Sequence, residues 1–369
     1  MSTVTQISTT HTGSLPRPAD LTEMLVLRDR GETPDGLPAR IAEATAEVVR
    51  RQLDAGITIV NDGESSKINY STYVTGRLDG FGGTSADGRY RPQGWEDFPE
   101  FYASWPRVEL ARPACTGRIR HRDLEPARID IANLRAALEG LEPEDVFMTA
   151  ASPGVIEGYL ENQYYATHEE YIWALADAMK PEYDAIHAAG FLLQLDCPDL
   201  TSVERPGMVE THVEAINHAT RDIPPSRMRL HVCWGNYEGP HNRDVPLAAI
   251  VDQVLKARPA FLSIEGANPR HAHEWRVFED VALPEGKILV PGVIDSTTNY
   301  VEHPQLVADR ILDYARVVGP ENVIAGTDCG LATVASHLIV DPAIAWAKLD
   351  ALSEGARLAA TALSVRGRV

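Results

Sequence analysis

The sequence predicts an α/β fold, a single (β/α)8 barrel of the TIM type with an insertion after its second strand. Short apolar runs bounded by turn residues alternate with longer stretches of helical periodicity. The apolar runs number eight, which is the count that closes such a barrel. The chain of 369 residues is long enough for one barrel with an insertion, and a chain of this length buries a core that needs no disulfide bond.

The predicted strands are spread over the whole chain. Helices are predicted at 37–55, 168–189 and 342–363, where apolar residues recur at helical spacing. No glycine-rich phosphate-binding fingerprint follows the first run, which disfavours a doubly wound sheet. The eight predicted strands cover residues 4–9, 57–60, 145–149, 191–195, 228–232, 260–264, 287–293 and 323–326.

One stretch interrupts this alternation. Residues 79–123 are rich in Gly, Pro, Arg and aromatic residues and show no helical period. We predict that they form an insertion between the second strand and its helix, folded as a lid or hairpin over the barrel mouth, because a structureless loop of this length is uncommon. The whole chain, residues 1–369, is then a single domain.

Charge and composition exclude several classes of partner. The formal net charge is −19, from 34 basic and 53 acidic residues, and no cluster of Lys and Arg offers a surface for nucleic acid or an anionic membrane. No apolar run approaches the ~20 residues of a membrane helix. The first residues lack the features of a secretory signal. These observations predict a cytoplasmic protein, in which the four cysteines are free thiols.

Four side chains with metal-binding atoms follow or end the predicted strands. His231 and Cys233 are two residues apart, so their side chains point the same way at the end of the fifth strand. Glu265 ends the sixth strand and Cys329 ends the eighth. Each residue alone is also compatible with a place in the core. Together, at one rim of the barrel, they predict a metal site.

The chemistry of these four ligands favours zinc and the activation of a thiol. Soft sulfur ligands disfavour Mg²⁺ and Ca²⁺. Two thiolates reduce the Lewis acidity of the metal towards water, whereas a substrate thiol bound there becomes a nucleophilic thiolate near neutral pH. Sites that hydrolyse substrates tend to use His and carboxylate ligands instead. The ligand set therefore predicts alkyl transfer to sulfur.

Successive predicted strand ends resemble those of the cobalamin-independent methionine synthases. The matching segments are Thr9-Thr10-His11-Thr12-Gly13-Ser14-Leu15-Pro16, Asp62-Gly63-Glu64, Asp196-Cys197-Pro198, His231-Val232-Cys233, Glu265 and Asp328-Cys329-Gly330-Leu331. The resemblance extends over almost the whole chain. It implies the catalytic barrel of that family, with His231, Cys233, Glu265 and Cys329 as zinc ligands and transfer of a methyl group to homocysteine.

The resemblance also implies how the amino-acid substrate is held. In the family the N-terminal loop binds the substrate carboxylate, which assigns Gly13 and Ser14 to this role and places His11 within reach of the substrate. The acidic residues after the second and fourth strands bind the amino group. In this sequence these residues are Glu64 and Asp196.

The donor half of the site departs from the family pattern. The family carries Asp-Ile-His after the seventh strand, whereas this chain has Asp295-Ser296-Thr297, so Thr297 stands where the proton-donating histidine is expected. We predict Asp295 and the nearby His303 as the catalytic residues of this loop. The third-strand segment also lacks the tryptophan that the family links to folate binding. The alkyl donor is therefore left open between methyl-folate and a methyl-corrinoid carrier.

Other functions are weighed against this one. An epoxyalkane:coenzyme M transferase uses the same zinc motif, but its sulfonate substrate calls for Arg or Lys where Glu64 and Asp196 stand. A metal-free lyase like uroporphyrinogen decarboxylase requires a basic cluster for propionate groups. A zinc hydrolase would not require a cysteine at the position of Cys329. A non-catalytic protein that binds a corrinoid or folate protein would show no enzymatic turnover.

Overall fold

The structure, a computed structural model, describes residues 6–85, 94–105, 111–202 and 207–366. In this part of the chain strands and helices alternate, as predicted. The strands are β1 (Ile59–Val60), β2 (Leu78–Gly82), β3 (Ala114–His121), β4 (Asp145–Ala151), β5 (Leu192–Asp196), β6 (Met228–Val232), β7 (Phe261–Ile264), β8 (Ile288–Ile294) and β9 (Gly326–Thr327). The α-helices are α1 (Ala19–Asp29), α2 (Leu37–Asp54), α3 (Pro99–Ser104), α4 (Glu125–Ala137), α5 (Pro153–Tyr159), α6 (His168–Ala188), α7 (Met208–Ala219), α8 (Leu247–Val254), α9 (Val277–Asp280), α10 (Pro304–Val318) and α11 (Pro342–Arg366).

The centre of the fold is a curled parallel sheet. Among the described residues it contains seven strands in the order β1-β4-β5-β6-β7-β8-β9. Neighbouring strands pair apolar residues, such as Leu195 with Leu230 and Leu230 with Leu262, and these side chains are buried. Because the strands are parallel, their carboxyl ends meet at one rim of the sheet, which is where this type of fold places its chemistry.

The chain segment before α1 connects the two outer strands of this sheet. Thr9 forms an isolated parallel bridge with Ala325, just before β9. The Ala325 N–H donates to the Ser8 carbonyl at 2.9 Å, and the Ile59 N–H of β1 donates to the Thr9 carbonyl at 3.0 Å. Of the predicted strand at 4–9, residues 4 and 5 lie outside the described residues, and the rest forms this bridge in place of a regular strand.

The predicted insertion contains a hairpin. Strands β2 and β3 pair antiparallel, from Leu78 opposite His121 to Gly82 opposite Ala114. Between them α3 is described, whereas residues 86–93 and 106–110 lie outside the described part. The segment before α3 reaches the loop after β6, because Arg243 donates two hydrogen bonds to Asp97, at 2.6 and 2.7 Å. Part of the insertion therefore lies at the carboxyl rim of the sheet.

A buried ion-pair cluster attaches this hairpin to the barrel helices. Arg77, which precedes β2, donates to Glu182 of α6 at 2.7 Å and to Asp130 of α4. Its guanidinium lies 4.6 Å from the centre of the Tyr73 ring. Burial opposes the charge of Arg77, but Glu182 and Asp130 outweigh it and raise its pKa above the usual range. The cluster therefore contains two carboxylates that depend on one cation.

Replacing Arg77 with methionine is expected to lower the free energy of unfolding by about 3–5 kcal/mol, since it leaves buried carboxylates without their cation. Denaturant unfolding followed by circular dichroism measures this change. The matched control is Arg122→Ala, because Arg122 pairs with Asp79 at 2.6 Å on the exposed side of the hairpin. That variant is expected to lose less than about 1 kcal/mol. Equal losses in the two variants contradict the prediction.

The helices cover the sheet and bury its outer face. Buried apolar side chains of α2, α6, α7, α10 and α11 join those of the strands in one core cluster. In the part of the chain that the structure describes, no helix has the length and apolar character needed to cross a membrane.

Candidate metal centre and substrate site

The four predicted metal ligands meet at the carboxyl rim. His231 lies in β6, Cys233 follows it, Glu265 follows β7 and Cys329 follows β9. Ligand atoms of His231, Cys233 and Cys329 all lie within 4.8 Å of one another. The two sulfur atoms are 2.9 Å apart, and the Cys329 Sγ lies 3.5 Å from both His231 Nε2 and Glu265 Oε1. The structure thus brings together all four side chains that the sequence singled out.

The electrostatics of this cluster suit a divalent cation. All four side chains are buried. Burial lowers the pKa of His231 to about 4, so its imidazole is neutral and keeps a lone pair. A hydrogen bond from Cys329 lowers the pKa of Cys233, whereas burial and the charge of Cys233 raise the pKa values of Glu265 and Cys329. Without a cation nearby, burial and the charge of Cys233 thus favour the protonated forms of Glu265 and Cys329, and a bound Zn²⁺ would compensate the charge of the deprotonated groups.

Asp328 fixes the loop that follows Glu265. Its carboxylate accepts hydrogen bonds from the backbone N–H groups of Gly266, Ala267 and Asn268, each at 2.8 Å. The side-chain amide of Asn268 donates to Glu265 Oε2 at 2.8 Å and to Asp328 Oδ2 at 2.9 Å. The residue beside one predicted ligand therefore orients another, and such contacts tune metal affinity.

Replacing Asp328 with asparagine is expected to weaken zinc binding about 10- to 100-fold, the usual effect of losing a group that orients a metal ligand. An amide nitrogen cannot accept the backbone N–H bonds that one carboxylate oxygen accepts. Competition with a chelator measures the affinity. Asp123→Asn is the control, because Asp123 accepts one backbone N–H at 2.9 Å at the exposed start of α4. Unchanged zinc affinity in Asp328→Asn would disprove this role.

Glu64 is a buried carboxylate with one oxygen available. Its Oε1 accepts a hydrogen bond from Thr149 Oγ1 at 2.9 Å, and its Oε2 is buried without a hydrogen-bond partner among the described residues. Its backbone has a φ of 56°, which is unusual for a residue other than glycine. Arg17 holds this conformation by donating to the Glu64 carbonyl at 2.8 and 3.1 Å. A buried acceptor without a partner suits a cationic ligand group.

Asp196 lies at the end of β5 and faces the same region. Burial and the charge of Glu64 raise its pKa to about 7. Its Oδ1 accepts a hydrogen bond from the Gln194 amide at 2.9 Å. An ammonium group placed between Glu64 and Asp196 would relieve their mutual repulsion.

The N-terminal loop packs directly against Glu64. A Cβ atom at Gly13 would lie 2.8 Å from Glu64 Oε1 and 2.7 Å from Thr149 Cγ2. Any residue other than glycine at this position would therefore displace these side chains. The next residue, Ser14, accepts a hydrogen bond from the Leu331 N–H at 2.9 Å. Gly13 and Ser14 therefore lie between the carboxylate site and the turn that carries Cys329.

His11 stabilises this loop through a contact with the Gly13 backbone. Its Nε2 lies 2.8 Å from Gln52 Oε1, and its Nδ1 accepts a hydrogen bond from the Gly13 N–H at 3.2 Å. Burial lowers its pKa to about 4, so the ring is neutral. Both ring nitrogens therefore have protein partners, and the structure places His11 as a support of Gly13.

The structure separates the two residues predicted to be catalytic. Asp295 is buried after β8, and its Oδ1 accepts hydrogen bonds from the N–H and hydroxyl of Thr297 at 2.7 and 2.8 Å. Its neighbour Ser296 accepts a hydrogen bond from the Cys329 N–H at 3.2 Å. His303 is exposed, and its Nδ1 accepts the Gln305 N–H at the start of α10. The geometry thus associates Asp295, and not His303, with the metal cluster.

Sequence reasoning missed Gln194, Arg229 and Arg17 among the polar residues around Glu64 and Asp196, whereas Lys67, three residues after Glu64, was a candidate for the lining of the mouth. Lys67 donates to the carbonyl and hydroxyl oxygens of Thr149 at 2.6 and 2.9 Å, and so holds the partner of Glu64. Gln194 and Arg229 are polar residues inside buried strands, an unusual position that was a usable signal. Arg17 carried no local signal, because its role depends on the fold of the loop after β1.

Curated relatives cover the chain from end to end. A methionine synthase of Thermococcus kodakarensis is 26% identical over 361 residues, which are 96% of this chain and 94% of that protein. A methionine synthase of Saccharolobus solfataricus is 25% identical over 374 residues, 100% of this chain and 99% of that protein. No family model matches the chain.

A solved structure shares the fold. The B12-independent methionine synthase from Shewanella sp. W3-18-1, solved in complex with selenomethionine, matches with a TM-score of 0.74 and 21% identity, covering 98% of each chain. At this identity the match shows a common fold. Sequence and structure thus point to relatives of the same kind over nearly the full length.

Proposed function

We propose that the chain is a zinc-dependent methyltransferase, similar to the cobalamin-independent methionine synthases, that converts homocysteine to methionine. The observation that carries the proposal is the buried cluster of His231, Cys233 and Cys329, with ligand atoms within 4.8 Å of one another. Glu265 completes the proposed ligand set. Bound zinc would supply the charge that keeps a thiol deprotonated at neutral pH.

The residues around Glu64 supply the selectivity for an amino acid in this proposal. Glu64 and Asp196 hold the ammonium group, and the backbone of Gly13 and Ser14 holds the carboxylate. His11 acts indirectly by fixing Gly13 through its Nδ1. Two buried carboxylates are a poor environment for a sulfonate, which disfavours coenzyme M as the thiol. The substrate is then oriented with its sulfur towards the cysteine pair.

Asp295 is the proposed source of the proton for the leaving group. It is the better placed of the two residues predicted to be catalytic, because its neighbour Ser296 contacts the backbone of Cys329. The donor is a small-molecule methyl-folate or a methyl-corrinoid carrier. Comparing methyl transfer from the two donors identifies the donor. Comparing Asp295→Asn with the wild type tests whether Asp295 supplies the proton.

We also propose that the sheet is a complete (β/α)8 barrel within a single domain of residues 1–369, located in the cytoplasm. The segment at residues 8–10 acts as the strand that closes it, since it bonds to both β1 and the residue before β9. The described part of the insertion predicted at 79–123 would lie as a lid over the mouth. Its contact between Asp97 and Arg243 supports this position.

X-ray absorption at the zinc edge tests the proposed function. We expect zinc with two sulfur neighbours in the reduced protein, and a third sulfur neighbour after homocysteine is added. The control is 3-aminopropane-1-thiol, which is homocysteine without its carboxylate and should bind far more weakly. A zinc environment that homocysteine leaves unchanged, or reduced protein that takes up no zinc at this cluster, would overturn the proposal.

A further inference from the structure

A pair of histidines lies apart from the cluster of His231, Cys233, Glu265 and Cys329, which we call the cysteine cluster. His168 begins α6 and His212 lies on α7, and their Nε2 atoms are 3.2 Å apart. The Nδ1 atom of His168 lies 2.9 Å from Glu157 Oε1. The Nδ1 atom of His212 lies 2.8 Å from Asp199 Oδ2. Each imidazole is therefore backed by its own carboxylate.

This arrangement decides which ring nitrogens carry hydrogen. A carboxylate accepts hydrogen bonds, so the Nδ1 atoms of His168 and His212 are the donors to Glu157 and Asp199. In the neutral rings the two Nε2 atoms then present lone pairs to each other at 3.2 Å. Two facing lone pairs repel, and the contact becomes favourable when a proton or a metal ion lies between them. A carboxylate behind each ring is the usual arrangement around histidines that bind metals.

We propose that His168 and His212 bind a divalent transition-metal ion through their Nε2 atoms, with Glu157 and Asp199 holding the two rings. Imidazole nitrogens suit Zn²⁺, Ni²⁺, Co²⁺ and Cu²⁺, and no sulfur takes part. Ligand atoms of Glu157, His168 and His212 lie within 4.8 Å of one another. This metal is independent of the one proposed for the cysteine cluster.

The surrounding chain is shaped to hold the buried half of this pair. Ser152, which follows β4, donates to Asp199 Oδ1 at 2.8 Å. Gly154 lies so close that a Cβ there would be 2.4 Å from His212 Nδ1 and 2.0 Å from Asp199 Oδ2. His212 therefore cannot shift towards α5, and its ring is fixed by packing as well as by hydrogen bonds.

An ion can reach the pair from the His168 side. The side chains of His168 and Glu157 are each 15% exposed, whereas His212 is 1% exposed. The site connects α5, α6, α7 and the turn after β5. A metal there would hold together the segments that follow β4 and β5, and β5 ends at Asp196.

Zinc titration of the intact, reduced chain tests the proposal. We expect two zinc ions per chain in the wild type and one in His168→Ala, measured by elemental analysis after equilibrium dialysis. His168 is chosen because it is partly exposed, so its loss should leave folding intact by circular dichroism. The control is His218→Ala, since His218 pairs with Asp177 at 2.7 Å in an exposed position on α7. That variant should keep two ions.

A cobalt spectrum separates this proposal from the one for the cysteine cluster. Co²⁺ bound by thiolates gives intense sulfur charge-transfer bands, which His168→Ala should retain and Cys329→Ala should lose. In Cys233→Ala/Cys329→Ala we expect one Co²⁺ per chain with weak bands typical of nitrogen and oxygen ligands, and at least ~10-fold weaker binding when His168→Ala is added. Metal content that does not depend on His168 in either background would overturn the proposal.

Discussion

Replacing Cys329 with alanine is expected to remove zinc from the cysteine cluster and to reduce methyl transfer by about 10³-fold or more, which corresponds to about 4 kcal/mol in the barrier. Cys329 has the most contacts within the cluster, with Cys233 at 2.9 Å and both His231 and Glu265 at 3.5 Å. Its loss leaves three ligands, of which only Cys233 is a thiolate. Elemental analysis and a methyl-transfer assay with homocysteine measure the two effects.

A cysteine of the hairpin provides the control. Cys115 in β3 is also buried, and its Sγ donates to the Gly117 carbonyl at 3.4 Å. Cys115→Ala likewise removes one buried sulfur atom, and this variant should keep both zinc and activity. If Cys329→Ala keeps as much zinc as the wild type, or loses one zinc ion while methyl transfer continues, then Cys329 is not a ligand of a catalytic metal.

The strands that the sequence predicted best are those with a paired neighbour on both sides. β6 covers Met228–Val232, the predicted residues, and it pairs with β5 and β7. The last strand differs: β9 is Gly326–Thr327, whereas the apolar run at 323–326 predicted an earlier start. Val323 is buried and forms a single bridge with Leu289. The apolar character of Val323 indicates a buried position. Whether such a residue forms part of a regular strand depends on hydrogen bonding to neighbouring strands, which the local sequence does not specify.

The candidate metal ligands were predictable because their signal is local. His231 and Cys233 alternate along one strand, and Glu265 and Cys329 follow apolar runs, so position on a parallel sheet was enough to bring them together. Asp328 was predictable as an orienting residue because it stands beside Cys329 in the sequence, but the groups that it contacts were not predictable. Asp328 bonds to the N–H groups of residues 266–268, about 60 positions earlier in the chain, and this pairing exists only once β7 and β9 are in place.

His303 shows the limit of reasoning from nearness in sequence. It lies eight residues after Asp295, and this separation suggested that it reaches the same site. In the structure His303 is exposed, and it accepts a backbone N–H at the start of α10. The proline that follows it marks a helix start, and this local signal favours a capping role over a catalytic one.

Replacing Glu64 with glutamine is expected to weaken homocysteine binding about 100-fold while zinc remains bound. Losing one charged partner of a buried pair typically costs about 2–5 kcal/mol, and 100-fold in affinity corresponds to about 2.7 kcal/mol. Glutamine keeps the shape of the side chain and an acceptor for Thr149 Oγ1, so the fold should be unaffected. Asp196→Asn is expected to act in the same direction. Isothermal titration with homocysteine measures the affinity, and elemental analysis measures the zinc.

The thiol itself distinguishes a binding role of Glu64 from a structural one. If Glu64 binds the ammonium group, the variant should discriminate little between homocysteine and 4-mercaptobutyrate, which lacks the amine, whereas the wild type should prefer homocysteine strongly. The control is Glu144→Gln, because Glu144 accepts a hydrogen bond from Ser8 at 2.6 Å beside the amino end of β4, away from the rim. An unchanged preference for homocysteine over 4-mercaptobutyrate in Glu64→Gln would show that the charge of Glu64 stabilises the loop and does not bind the substrate. A carboxylate that does not contact the ammonium group cannot alter the recognition of that group.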